Sequence, residues 1–114
     1  MTTTWDLFHG AALALVGAGS VKQRLAHAYR RYLFDLDADS LPRELRTDFQ
    51  WLSERLTSGR AVGGLGVVEA TVRKMSDPEA SRCAERIIEM FSVLTETQPH
   101  AARTHGLRAV KGGG

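Results

Sequence analysis

The chain has 114 residues, 43% of them hydrophobic and 25% charged, with a formal net charge of +2 at pH 7. That length suits one domain around one core, and so small a net charge gives no argument for a nucleic-acid or membrane partner. Cys83 is the single cysteine, which excludes an intramolecular disulfide and any cysteine-based metal cluster, and fits a reducing, cytoplasmic setting.

The first residues, MTTTWD, lack the basic region of a secretory signal. The apolar run 11–16 is far shorter than the ~20 residues that span a bilayer, so no membrane is expected. Arg outnumbers Lys 12 to 3, a bias that points to a GC-rich bacterial or phage genome.

No period-two run of β-branched residues appears, and no Asn-Gly or Asp-Gly pair marks a hairpin. The chain reads instead as an all-α, single-domain bundle of about five helices over residues 1–98. The first helix is expected from about Asp6 to Val16, with Thr4 as its N-cap and Gly17-Ala18-Gly19 as its stop. Ser20-Val21-Lys22-Gln23 forms a capping box that opens a second helix reaching Leu36. Leu41-Pro42 starts the third, in which Leu45, Phe49, Leu52 and Leu56 recur at core spacing.

Ala61–Gly66 reads as a flexible connector, followed by a short fourth helix over about Leu65–Met75. A second capping box, Ser76-Asp77-Pro78-Glu79, opens the fifth helix. There Ala80, Cys83, Ala84, Ile87, Ile88, Met90, Phe91 and Leu94 cover an arc of ~160°, which marks this helix as the centre of the bundle. Leu25, Tyr32, Leu45, Phe49, Leu52, Val72, Cys83, Ile87 and Phe91 are the expected core. After Pro99 periodicity ceases, and residues 99–114, with Arg103, Arg108 and Lys111 and no acid, are expected to form a flexible basic tail ending in glycines.

No catalytic constellation emerges. His9 and His27 sit on separate helices and His100 and His105 in the tail, so no convergent metal ligands are expected. Cys83 falls in an apolar arc, where a thiol behaves as a small hydrophobe. Asp35, Asp37 and Asp39 lack the glycine and distal Glu of a calcium loop and read as a helix-ending turn. Gly63, Gly64 and Gly66 precede a helix but lack the strand and the Gly-Lys-Ser/Thr ending of a phosphate cradle. No cofactor, metal or small-molecule substrate is indicated, and the chain is not expected to be an enzyme.

The polar faces carry the functional expectation. On the second helix Arg24, His27, Arg30 and Arg31 form a cationic face, with Phe34 among them. On the third, Trp51 projects ~130° from the apolar stripe, beside Glu44, Thr47 and Arg55. Outward aromatics among arginines are typical binding anchors. The expected function is a non-catalytic protein-interaction module, an adaptor, assembly subunit or inhibitor. It would bind another protein, or itself as a homo-oligomer, through Arg24, His27, Arg30, Arg31, Phe34 and Trp51. The alternative is nucleic-acid binding through the basic face of the second helix and the tail, with Phe34 stacking a base.

Overall fold

The computed structural model describes residues 2–97. In chain order they form α1 (Thr4–Leu15), α2 (Val21–Ala28), a π-helical turn that prolongs α2 (Tyr29–Leu33), a 3-10 turn (Ala38–Ser40), α3 (Arg43–Leu56), α4 (Val67–Arg73) and α5 (Asp77–Thr97). No strand occurs among the described residues, and one isolated antiparallel bridge pairs Val62 with Leu65. The expected tail, 99–114, lies outside them.

Side-chain caps set the helix starts. Ser20 Oγ accepts from the Gln23 amide (3.1 Å) while Gln23 Oε1 accepts from the Ser20 amide (3.0 Å), closing the expected box at α2. At α1 the cap is Thr3 rather than Thr4. Thr3 Oγ1 accepts from the Asp6 amide (3.0 Å) and Asp6 Oδ2 accepts from the Thr3 amide (2.9 Å), a box with Asp in place of the usual Glu. At α5 Ser76 Oγ caps the Glu79 amide (3.2 Å), but the Glu79 carboxylate turns to Arg55 of α3 (2.7 Å). That second box is therefore half built as a cap and half as a tie between helices.

The second helix is not one α-helix to Leu36, as expected. A wide turn over Tyr29–Leu33 follows α2, and α-helical hydrogen bonding is not resumed. Leu25, Tyr29 and Leu33, four apart, all stay buried through it. Tyr32, expected in the core, is moved to its edge and is half-buried against α1.

The expected 61–66 connector is a tight turn. The Leu65 amide donates to the Val62 carbonyl (2.8 Å), and Gly63 sits at φ +57°. A positive φ at the first central residue alone is the type II′ pattern, which glycine adopts without steric cost.

α5 occupies the centre and packs on α1, α2 and α3. Its buried residues, Ala80, Cys83, Ile87, Met90 and Leu94, form a 3-4-3-4 stripe narrower than the expected arc. Ile88 is consequently exposed. Phe91, expected in the core, is half-buried because Met90 holds the central position beside it.

α1 runs antiparallel to α5. Trp5 donates from Nε1 to Thr95 Oγ1 (3.1 Å) and packs on Phe91 (5.4 Å between centroids) near one end, while Leu15 and Val16 lie beside Ala84 and Ile88 near the other. Trp5, Phe8, Ala11 and Leu15 are the buried stripe of α1. No helix of the described residues is long and apolar enough to cross a membrane.

Candidate functional site

The structure disperses most of the six residues expected to share one contact surface, keeping Arg30 and Arg31 together at one hollow. Arg24 is a structural cap: its Nη1 donates to the Leu15 carbonyl (2.6 Å) and its Nε to the Gly19 carbonyl (3.0 Å). The Leu15 carbonyl is an orphan at the negative end of α1, where a cation is favoured, and Gly19 belongs to the loop that follows. Arg30 forms an ion pair with Glu69 of α4.

Trp51 is half-buried in the seam between α3 and α5, with the Arg55 guanidinium 5.4 Å and the Arg86 guanidinium 5.2 Å from its ring centroid. Each guanidinium is held by a carboxylate across the seam, Arg55 by Glu79 (2.7 Å) and Arg86 by Asp48 (3.0 Å). Asp48, Trp51 and Arg55 are spaced by three and four, so one face of α3 carries all three. Trp51 is thus an intramolecular seam residue rather than the projecting anchor expected.

His27, Arg31 and Phe34 remain, spaced by four and three along α2 and its π turn. His27 meets the Tyr32 ring edge-on (6.5 Å between centroids), and the Arg31 guanidinium lies 5.6 Å from the same ring. Phe34 is 46% exposed and touches the rest of the fold edge-on at Tyr29 (6.1 Å). Tyr29 is buried, and its hydroxyl hydrogen-bonds Ser53 Oγ of α3 (3.1 Å). Ser53 and Trp51 are two residues apart, ~200° around α3, so Phe34 and Trp51 belong to different flanks of that helix.

Arg30 and Arg31 both line a small hollow of about 250 Å³, together with Leu7, Tyr32, Asp35, Leu36 and Asp37. Apolar Leu7 and Leu36 stand among two carboxylates and two guanidiniums, so the hollow offers hydrogen-bond acceptors, donors and apolar contact. Tyr32, Leu7 and the two aspartates were not expected at a surface with Arg31. They arrive there through the π turn, which no residue pattern announces.

Other chemistry is sparse. Among the described residues no group of three or more His, Cys, Asp or Glu is placed to hold a metal ion. Asp37 builds the 3-10 turn, with its Oδ1 accepting from the Asp39 amide (3.1 Å). Cys83 is fully buried, and that burial, with the nearby Glu79 charge adding to it against three arginines, pushes its thiol above the ordinary range. Burial also raises the Tyr29 phenol, the Ser53 hydrogen bond opposing the rise and the Asp35 charge reinforcing it.

Comparison with family models, with curated proteins and with solved structures finds no match to this chain.

Proposed function

We propose that the protein is a non-catalytic interaction module that docks another protein through the outer face of α2 and its π turn. The observation that carries this reading is Phe34. A large aromatic, 46% exposed, stands directly after the π turn that carries the exposed Arg31, with the exposed His27 near the end of α2 before it. Aromatic and arginine side chains are enriched at protein interfaces, and π turns are frequent at functional sites. The role is that of an adaptor, assembly subunit or inhibitor in a bacterial or phage-infected cytoplasm, and a second copy of the chain is a further candidate for the partner.

Nucleic acid is the weaker reading. Arg24 caps α1 and the exposed Arg30 is paired with Glu69, and Asp35 and Asp37 stand beside Arg30 and Arg31, where they would repel a phosphate backbone. Photo-cross-linking from p-benzoylphenylalanine in place of Phe34, inside the native host, decides between the two. A discrete protein adduct that resists nuclease supports the module, and a nuclease-sensitive adduct or none at all contradicts it.

A further inference from the structure

A second surface lies where α4 meets the segment 57–66. Two adjoining hollows of about 570 and 520 Å³ share Leu65 and Arg73. Their floors are apolar: Val62, Leu65 and Ala70 in the larger, Ala26, Leu65 and Val72 in the smaller. Arg60, Arg73 and Lys74 line the larger hollow and no carboxylate does. Lys22 lines the smaller, whose carboxylate, Glu69, is taken by Arg30.

The groove is held in shape without a ligand. The Gly59 amide donates to Thr71 Oγ1 (2.8 Å), which donates to the Val67 carbonyl (2.7 Å), pinning one wall to α4. A Cβ at Gly59 would stand 2.8 Å from that same oxygen, so the approach needs glycine. Lys22 Nζ donates to the Arg73 carbonyl (2.9 Å) and fixes the other wall to α2. Val62, 56% exposed, is presented by the tight turn over the open floor. A preformed site loses little entropy when occupied.

We propose that this groove binds an extended acidic segment of a partner protein that carries apolar side chains between its carboxylates. Guanidinium groups match carboxylates bidentately, and the apolar floor rewards an aliphatic side chain that a purely charged ligand would not supply. No aromatic side chain lines either hollow, so the groove offers no stacking platform for bases, which sets nucleic acid aside. The site is separate from the Phe34 face and stands on its own observations.

The test is titration of the full chain with three fluorescent probes: a peptide alternating Glu and Leu, the same peptide with Gly for Leu, and an oligothymidylate. Amide chemical shifts locate the site. The Glu-Leu peptide is expected to bind best and to shift Val62, Leu65 and Lys74. Arg60→Glu combined with Lys74→Glu, both exposed positions, is expected to weaken it at least about tenfold at unchanged melting temperature. Phe34→Ala is expected to leave this binding intact. Equal affinity for the Glu-Gly peptide, tighter binding of the oligonucleotide, shifts centred elsewhere, indifference to the charge reversal, or no binding at millimolar peptide would each overturn the proposal.

Discussion

The Tyr32 ring lies so close over Gly10 that a Cβ added to that glycine would stand 2.5 Å from Cε1 and 2.7 Å from Cδ1. Gly10 is inside α1, where alanine is intrinsically favoured by about 1 kcal/mol. The steric cost of overpacking, about 1–3 kcal/mol, outweighs that preference. Gly10→Ala is therefore expected to lower the melting temperature, and to raise it once Tyr32→Ala has removed the ring. A thermal-unfolding double-mutant cycle reads that change of sign. Stabilisation by Gly10→Ala in both backgrounds would show that the ring is not packed on α1.

Met90, not its neighbour Phe91, is the central residue of this part of α5. Met90→Ala is expected to cost about 2–5 kcal/mol, the range for emptying a core position. Phe91→Ala should cost less, because Phe91 is half-buried between Trp5 (5.4 Å) and His9 (5.8 Å) at the rim. Denaturant unfolding of the two variants under one condition gives the order, and the reverse order would contradict the packing described.

Trp51 is expected to matter for stability. Trp51→Ala should cost about 2 kcal/mol, from partial burial plus two cation–π contacts of about 0.5–1 kcal/mol each. Arg86→Ala should cost about 1 kcal/mol or less, since its ion pair with Asp48 is open to solvent on both sides. Urea melts of both variants measure this, and a Trp51→Ala protein as stable as the parent would put Trp51 outside the seam.

Alkaline pH is expected to destabilise the protein through Cys83 and Tyr29. Both groups are raised in the folded state, so the fold retains protons that the unfolded chain gives up. By linkage, their stabilising contribution is complete below the unfolded values and shrinks as pH rises past 9.0 for the thiol and then 10.0 for the phenol. Chemical denaturation between about pH 7 and about pH 10.5 checks the direction. In Cys83→Ser the first part of the fall should disappear. A thiol reagent should modify native Cys83 only as fast as the protein opens.

The helical architecture was legible because it is written locally. The Ser20 box, the Leu45–Phe49–Leu52–Leu56 stripe and the apolar face of α5 each depend on spacing within one segment. The arrangement of the candidate site was not legible, for two reasons. A π turn has no residue signature, so the displacement of Tyr32 and the joining of Leu7, Asp35 and Asp37 to Arg31 were invisible. Arginines look alike in sequence whether they face solvent or a carbonyl. Only the fold shows that Arg24 caps α1, that Arg30 is paired with Glu69, and that two guanidiniums cover Trp51. Phe34 and Trp51 could both be read as lying off their apolar stripes, but only the fold shows that Phe34 is exposed and Trp51 half-buried.

Phe34 is exposed, and the proposed function makes it an interface anchor. The most direct measurement compares affinity and stability in one variant, titrating the partner cross-linked from position 34 with the parent chain, Phe34→Ala and Trp51→Ala. Phe34→Ala is expected to raise Kd about thirtyfold or more, the usual loss for an interface anchor, while its melting temperature stays within a few degrees of the parent. Trp51→Ala should show the opposite pattern, a lower melting temperature with little change in Kd at a temperature where it is folded. A Phe34→Ala variant that binds as tightly as the parent would contradict that assignment.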